Sequence, residues 1–374
     1  MRVLLINAVC GTGSTGKICA GLAQEFEAQG HSVRIAYGRD GIVPEACQKY
    51  ALRIGSDLGV RLHGVYSRLA DRHGFGSRGA TKKFLAWAEK YDPDLLWLHN
   101  IHGYYIDIDM LFRWIKKRPQ MQVKWTLHDC WAFTGHCAYF DAVGCDKWKT
   151  GCHNCPQKRE YPASVLVDSS RWNYTRKREL FTGVKNMTLV VPSHWLEARV
   201  KESFLKNYPV EVVYNTVNRE VFRPTDGDFR KKYGLEDKRI LLGVASVWEK
   251  RKGLEDFVAL DKMLDDRYQI VLVGLTPEQA KKMPDRILCL PRTGSQQELA
   301  HLYTTADLLV NPSREETFGM TILEAACCGT RSVVYGGTAC EEIVNIYGGS
   351  VAQQGVENLY RAICAEFKET PERM

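Results

Sequence analysis

Two glutamates frame the segment of this chain with the clearest chemical potential, Glu316-Thr-Phe-Gly-Met-Thr-Ile-Leu-Glu324. It follows an apolar run, Leu308–Val310, that we interpret as a buried strand, and its own apolar spacing indicates a helix. Glu316 is then predicted in the loop and Glu324 about two turns into the helix. Unpaired N–H groups at a helix start attract anions, and carboxylates accept hydrogen bonds from hydroxyl groups. The segment therefore predicts a site for an anionic, sugar-like ligand, the alternative being a surface loop with a solvated glutamate.

Histidines follow two other predicted strands. His128 and Asp129 come directly after Val123–Leu127, and a second polar group comes after Leu95–Leu98. Ligands of doubly wound sheets bind beyond the carboxyl ends of the strands, so these side chains are candidates for ligand contacts. A structural histidine in the core or on the surface is the alternative for each. The second group consists of His99, Asn100 and His102.

A glycine-rich turn, Gly11-Thr-Gly-Ser-Thr-Gly-Lys17, follows the first predicted strand, Val3–Asn7. Its glycines would let the backbone approach a phosphate at the start of the next helix. The turn has neither the glycine spacing of dinucleotide-binding loops nor the Lys-Ser/Thr ending of triphosphate-binding loops. A phosphate contact and a simple tight turn both remain open.

Four of the thirteen cysteines fall within nineteen residues, and the last pair reads Cys-His-Asn-Cys. Disulfides are not expected in a cytoplasmic protein. A Cys-x-x-Cys pair with two further thiols is typical of a tetrahedral structural zinc site. Reduced structural thiols and a redox pair are the alternatives. The four candidate zinc ligands are Cys137, Cys145, Cys152 and Cys155.

Strands and helices alternate through both halves of the 374-residue chain, which is too long for one ordinary core. The pattern predicts an α/β protein with two Rossmann-like domains that face each other across a cleft. We place the first domain at 1–205, with a Cys-rich insertion at about 130–160, and the second at 206–355. No apolar stretch approaches the ~18–20 residues of a membrane span. Because the first strand does not continue as an export signal, we expect a soluble cytoplasmic protein.

Positive charge is concentrated in the first half of the chain. Residues 1–200 hold 28 Lys and Arg against 18 Asp and Glu, and the remainder holds 23 against 26. Such a surplus favours a phosphate-bearing substrate or an anionic membrane surface as partner, with solvated helix faces as the alternative. No nucleic-acid-binding motif accompanies it, so nucleic acid is not an expected partner.

A predicted helix in this basic half has Leu58, Leu62, Val65 and Leu69 on one face. Such a face ordinarily covers a sheet. Nearby arginines make docking on an anionic bilayer the alternative. These are Arg61, Arg68 and Arg72.

The segment that begins at Asn311, Asn-Pro-Ser-x-x-Glu-x-Phe-Gly-x-x-x-x-Glu-Ala, resembles the donor-site signature of glycosyltransferase family 4. Asn7–Gly16 is similar to the first strand and glycine loop of that family, and Asn215–Pro224 to its interdomain segment. The resemblance implies a retaining enzyme with the two-domain GT-B fold. It also implies that the C-terminal helix, residues 356–374, returns to the first domain.

The resemblance implies roles for individual residues. Glu324 would bind the donor ribose, Glu316 the hydroxyls of the transferred sugar, and Lys252 the diphosphate. His128 would contact the transferred sugar near its reacting carbon, so the implied catalytic residues are His128, Glu316 and Lys252. The other implied donor-binding residues are Gly13, Arg251, Thr317, Phe318, Gly319 and Met320. The implied acceptor-side residues are Gly11, Thr12, Ser14, His99, Asn100, His102 and Asp129.

One position departs from the family pattern. Ser246 stands six positions before Lys252, where a second basic residue is usual. Lys250 or Arg251 would have to supply the missing charge, or the run Lys250–Lys252 is only a basic loop.

The resemblance implies transfer of a sugar from a nucleotide sugar, UDP-linked or next GDP-linked, to a saccharide acceptor. The similar bacterial enzymes build capsule, exopolysaccharide or O-antigen, which implies a polyprenyl-diphosphate-linked acceptor at the inner face of the membrane. We interpret none of the Asp-x-Asp sequences of this chain as a metal-binding motif, so we expect that catalysis requires no metal cofactor. The alternatives are a nucleotide-sugar epimerase or a phosphorylase on the same fold, and a non-catalytic sugar-nucleotide-binding protein.

Overall fold

The computed structural model describes residues 1–39 and 41–369, and within them the chain divides into two compact units between Val213 and Tyr214. The predicted boundary at 205/206 is displaced because the strand Val210–Val212 pairs with the sheet of the first unit. Within the described residues, no helix is both long enough and apolar enough to cross a bilayer.

The first unit is built on a parallel sheet in the order β3-β2-β1-β4-β5-β6-β7. Its central pair aligns Val3–Ile6 with Leu95–Leu98, and Val3–Ile6 is fully buried, as apolar strands covered on both faces should be. The strands are β1 (Arg2–Ile6), β2 (Ser32–Tyr37), β3 (Ala51–Arg53), β4 (Leu95–Leu98), β5 (Gln122–Thr126), β6 (Met187–Val191) and β7 (Val210–Val212).

Helices flank this sheet. Several begin with side-chain caps of the expected type; Asp107 and Ser193 accept hydrogen bonds from the backbone N–H groups of Met110 and Leu196. The helices are α1 (Gly13–Ala28), α2 (Glu45–Gln48), α3 (Asp57–Ala70), α4 (Arg78–Tyr91), α5 (Ile108–Lys116), α6 (Lys147–Thr150), α7 (Ser170–Phe181) and α8 (His194–Glu202). Single 3-10 turns are formed by Trp131–Phe133 and Asp141–Val143.

The second unit repeats the arrangement with the strand order β10-β9-β8-β11-β12-β13. The strands are β8 (Arg239–Val244), β9 (Tyr268–Val273), β10 (Leu288–Leu290), β11 (Leu308–Asn311), β12 (Ser332–Tyr335) and β13 (Gly349–Ala352). The helices are α9 (Phe229–Tyr233), α10 (Leu254–Asp261), α11 (Pro277–Ala280), α12 (Gln296–Thr305), α13 (Met320–Cys327), α14 (Ala339–Tyr347) and α15 (Val356–Glu366), with a 3-10 turn at Lys250–Lys252. Two parallel sheets flanked by helices confirm the predicted fold class.

Helix α15 differs from the prediction that residues 356–374 return to the first domain. Its fully buried side chains, Leu359 and Ile363, lie in an apolar core of the second unit, and the helix packs against β12, β13 and α10. The described part of this segment therefore belongs to the second unit. Residues 370–374 lie outside the described residues.

Candidate active site

The loops after β8 and β11 meet at the carboxyl edge of the second sheet. These strands are neighbours, with Leu308 and Leu309 aligned to Leu241 and Leu242. The strand order also reverses between them, which is where open α/β sheets place their ligand crevice. The loop after β8 carries Lys252, and the loop after β11 carries Glu316.

Lys252 and Glu316 contact each other although 64 positions separate them in the chain. The Lys252 Nζ donates a hydrogen bond to the Glu316 carboxylate, and the Ser313 Oγ lies 3.4 Å from the same oxygen. Burial alone would raise the pKa of the Glu316 carboxyl, but the charges of Lys252 and Arg251 outweigh it and lower that pKa below its ordinary value. Glu316 is therefore held ionised against a lysine at the strand ends.

The two loops are fixed to each other by hydrogen bonds to backbone carbonyls. The Arg314 N–H donates to the Arg251 carbonyl at 2.8 Å, and the Arg251 Nη1 donates to the Glu315 carbonyl at 3.1 Å. Gly253 has φ +71°, and a Cβ there would lie 2.4 Å from the Pro312 carbonyl oxygen. Only glycine allows so close an approach in this backbone conformation. The position of Lys252 is thus set before any ligand arrives.

Helix α13 begins at Met320, directly after these loops. The N–H groups of Ile322 and Leu323 donate to the Gly319 carbonyl, whereas those of Met320 and Thr321 come too early in the helix to reach a carbonyl of the preceding turn. Gly319 at the N-cap has φ +96°, and a Cβ there would lie 2.9 Å from the Ile322 Cδ1. Phe318 and Thr317 are buried, so packing holds the chain in place as it enters the helix. The helix start can receive an anion such as a diphosphate.

Glu324 lies one turn into α13, closer to its start than the predicted two turns, because the helix begins at Met320 and not at the loop. Its Oε2 accepts a hydrogen bond from the Tyr303 hydroxyl at 2.9 Å. Burial and the Glu324 charge raise the pKa of Tyr303, so the phenol keeps the proton that it donates. The sequence carries no signal for this partner, because Tyr303 lies on α12 and only the fold brings it there.

The corresponding edge of the first sheet gathers the predicted histidines. The His128 Nε2 lies 3.1 Å from the His99 Nδ1, and the two rings are stacked with centroids 5.4 Å apart. Burial lowers the pKa of His128 to about 4 and that of His99 well below its ordinary value. Both imidazoles are therefore neutral near pH 7. The strand ends thus bring His128 and His99 into contact, and the ligand contacts predicted for both stay a prediction.

Asp129 fixes a second histidine at this edge. Its Oδ2 lies 3.0 Å from the His102 Nε2, and its Oδ1 accepts the Trp131 N–H at 2.9 Å. Burial would raise the pKa of Asp129, but the contacts with His102 and with the Trp131 N–H lower it. The His102 Nδ1 also lies 3.2 Å from the Tyr161 hydroxyl. Asp129 thus acts as an ionised anchor for His102.

The glycine turn is tied to this histidine edge by Asn7, which the sequence did not single out as a site residue. The Asn7 Oδ1 accepts the Asn100 N–H at 3.2 Å, and its Nδ2 donates to the Val9 carbonyl at 2.8 Å. Gly11 has φ +72°, and a Cβ there would lie 2.8 Å from the Cys47 Sγ. The turn leads into α1, where the other three predicted residues of this loop lie. Thr12 is the N-cap of α1, and Gly13 and Ser14 are its first residues.

Two family models cover most of the chain. A model described as "Glycosyltransferase Family 4" matches residues 15–221, more than half of the chain, and one described as "Glycosyl transferases group 1" matches residues 238–368. The chain belongs to glycosyltransferase family 4. The recognition made from the sequence motifs is therefore confirmed.

Curated relatives match this family 4 chain over part of its length. A putative colanic acid biosynthesis glycosyl transferase of Escherichia coli is 29% identical over 189 residues, which cover 48% of this chain and 45% of the relative. An N,N'-diacetylbacillosaminyl-diphospho-undecaprenol alpha-1,3-N-acetylgalactosaminyltransferase of Campylobacter jejuni is 32% identical over 126 residues, which cover 32% of this chain and 33% of the relative. The chain spans less than half the length of these relatives.

Solved structures share the fold over nearly the whole chain. Sucrose-phosphate synthase from Thermosynechococcus elongatus has a TM-score of 0.68 at 17% identity and covers 98% of this chain and 90% of its own. The Anabaena protein Alr3699/HepE in complex with UDP-glucose has a TM-score of 0.63 at 15% identity, and the match covers 98% of this chain and 90% of that protein. At these identities the likeness concerns the fold.

The departure at Ser246 leaves Arg251 as the cation next to Lys252. Ser246 is exposed just after β8, whereas the Arg251 guanidinium is largely buried and also contacts Glu249. Arg251 lies close enough to lower the pKa of Glu316. Its position fits the predicted compensation, and the phosphate contact itself stays a prediction.

The cysteine segment follows β5. The thiols of Cys137 and Cys155 share a hydrogen bond, and the Cys152 Sγ accepts the Gly135 N–H at 3.2 Å. Across residues 1–39 and 41–369, however, no group of three or more His, Cys, Asp or Glu side chains is arranged to hold a metal ion. The zinc site therefore stays a prediction, which the zinc content of the purified chain would test. Four aromatic side chains of the segment are buried: Trp131, Phe133, Phe140 and Trp148.

Proposed function

We propose that this family 4 protein is a retaining glycosyltransferase that takes a hexose-type sugar from a nucleoside-diphosphate donor, with UDP favoured over GDP. The observation that carries the proposal is the buried contact between Lys252 and Glu316 beside the start of α13. A cation and a helix start together suit a diphosphate, and an ionised carboxylate next to them suits sugar hydroxyls. A nucleotide sugar meets both requirements, because it carries a diphosphate and sugar hydroxyls in one molecule.

The residues of the second unit would act on the leaving group. When the bond between the sugar and the diphosphate breaks, negative charge builds on the phosphate oxygens. Lys252 and the first N–H groups of α13 would stabilise that charge, which is where preorganised groups lower a barrier most. Glu316 would hold the sugar hydroxyls, and Glu324, oriented by Tyr303, would accept hydrogen bonds from the ribose.

Retention would follow from attack on the face that the diphosphate leaves. The acceptor hydroxyl oxygen forms the new bond to the anomeric carbon as the bond to the phosphate oxygen breaks. That departing oxygen takes the hydroxyl proton, so the products are a glycoside and a nucleoside diphosphate. No enzyme nucleophile is needed on this route.

We further propose a lipid-linked saccharide as the acceptor. The Campylobacter relative is named for a diphospho-undecaprenol acceptor, and the Escherichia coli relative for colanic acid biosynthesis. The positive surplus of residues 1–200 suits an acceptor that carries a diphosphate.

A thermal melting panel tests the donor site. We expect UDP and UDP-sugars at 1 mM to raise the melting temperature, with smaller shifts for GDP and none for ADP, because a ligand that binds only the folded state stabilises it. The shift should largely disappear in Glu324→Ala. A panel without any shift, or an unaltered shift in Glu324→Ala, would contradict the proposed donor site.

Product analysis then distinguishes the possible reactions. Transfer needs a second sugar, epimerisation needs none, and phosphorolysis needs phosphate.

A further inference from the structure

Helix α3 carries an apolar stripe on its solvent side. Leu58, Leu62, Val65, Tyr66 and Leu69 are between 45% and 66% exposed. At 100° per residue these five positions fall within an arc of about 100°. The interpretation that this face covers a sheet is therefore wrong, and the stripe faces away from the core.

The opposite side of α3 is held by polar contacts. His63 and Ser67 are buried there; the His63 Nδ1 lies 2.9 Å from the Ser77 Oγ, and its Nε2 accepts the Gly76 N–H at 3.1 Å. The Ser56 side chain caps the helix start by accepting the Gly59 N–H. Surface helices normally turn their apolar side to the protein and their polar side to water. Helix α3 has the reverse arrangement, which points to an apolar environment outside the protein.

A second segment extends the apolar surface. Val165, Leu166 and Val167 are 47% to 67% exposed, and the Val165 N–H donates to the Arg68 carbonyl at 2.8 Å. That bond places them beside the last turn of α3. We call the combined surface the α3 face: Leu58, Leu62, Val65, Tyr66, Leu69, Val165, Leu166 and Val167.

Cations border the α3 face. Arg61 and Arg68 are exposed and fall on one flank of the apolar stripe, within about 100° of its centre. Arg72 stacks over the half-exposed ring of Trp172, with 3.4 Å from guanidinium carbon to ring centroid. Apolar side chains bordered by arginines and a tryptophan are typical of segments that lie in the headgroup region of anionic bilayers. A protein partner would not require this combination.

We propose that the α3 face docks the protein on the surface of an anionic lipid bilayer. The apolar stripe would enter the upper acyl region while Arg61 and Arg68 contact lipid phosphates. Such docking would bring the first unit to a lipid-linked acceptor, but it does not depend on the proposed transfer reaction. Binding to vesicles that hold no acceptor therefore tests it separately.

Vesicle co-sedimentation provides the test, with the full chain and vesicles of phosphatidylcholine containing 30% phosphatidylglycerol. We expect wild type to bind these vesicles, to bind pure phosphatidylcholine at least tenfold more weakly, and to be released by 0.5 M salt. The double variant Leu62→Asp/Val65→Asp should lose at least tenfold in binding. Both positions are exposed, so the variant should keep its melting temperature. The matched control is Ile346→Asp, an equally exposed apolar residue on α14 of the second unit, which should bind like wild type.

Three results would overturn the proposal. The first is wild type that stays in the supernatant with anionic vesicles. The second is binding that does not depend on the α3 face, seen either as wild-type binding by Leu62→Asp/Val65→Asp or as loss of binding by the control Ile346→Asp. The third is a dimer in solution that only the double variant dissociates, which would assign the α3 face to a second copy of the chain. A normal nucleotide melting shift in the double variant would show that the donor site is intact, so failure of docking and failure of the proposed function are distinguishable.

Discussion

Glu316→Gln is expected to lower kcat by about 10²–10³-fold, the loss typical when one preorganised polar contact to the reacting group is removed. The amide keeps the shape of the side chain but accepts hydrogen bonds from sugar hydroxyls less strongly than the carboxylate. It also leaves the largely buried Lys252 ammonium without its anionic partner. The substituted site therefore loses both the sugar contact and the orientation of the lysine. Steady-state transfer assays with the donor identified by melting provide the measurement.

Glu357→Gln is the matched control, because Glu357 is an exposed carboxylate in the first turn of α15. It should leave kcat within twofold of wild type. Loss of a partner for Lys252 also predicts a lower stability for Glu316→Gln, by about 1–3 kcal/mol. The assays should therefore run well below its melting temperature. If kcat of Glu316→Gln stayed within threefold of wild type, Glu316 would have no part in the reaction.

Much of the fold followed from the sequence because buried parallel strands are continuous apolar runs. The strand Leu95–Leu98 has the predicted bounds. The strands predicted at Val3–Asn7, Val123–Leu127 and Leu308–Val310 differ from the observed ones by one residue at one or both ends. Two strands were missed, β3 and β13. Both lie at sheet edges, are short and are partly exposed, so neither shows an apolar run.

The candidate site was predictable where chemistry lies next to a strand end. His128, Lys252 and Glu316 all follow central strands, and strand order alone brings Lys252 to Glu316. Contacts that depend on distant helices were not predictable. The bond between Tyr303 and Glu324 is the example, because no local pattern links α12 to α13.

Exposure was the property that sequence periodicity could not assign. The stripe on α3 has the same spacing whether it faces the sheet or the solvent. His63 fixes its direction through hydrogen bonds with Ser77 and Gly76 in the loop that follows α3, and these form only in the folded unit. Helix α15 shows the same limit, since its apolar spacing does not say which unit it covers.

His128→Ala is expected to lower kcat by about 10²-fold while the nucleotide melting shift persists. As the sugar leaves the diphosphate, its anomeric carbon gains positive charge. A protonated imidazole would oppose that charge, whereas a neutral one can still hydrogen bond to the sugar. Burial lowers the pKa of His128 to about 4, below its ordinary value of 6.5, so the ring stays neutral until the pH falls toward 4. The contact with His99 at 3.1 Å fixes the orientation of the ring.

The exposed His194 on α8 provides the control. His194→Ala should match wild type, because His194 is exposed in the first turn of α8 and its Nδ1 lies 2.9 Å from the Glu197 Oε2. The pH profile then separates a neutral hydrogen-bonding role from proton transfer. If His128 acts in the neutral form, wild-type kcat should show no step from this residue between pH 5.5 and 8. A step near pH 6.5 that His128→Ala abolishes would mean that the imidazole titrates in the working enzyme, and the neutral role would have to be given up.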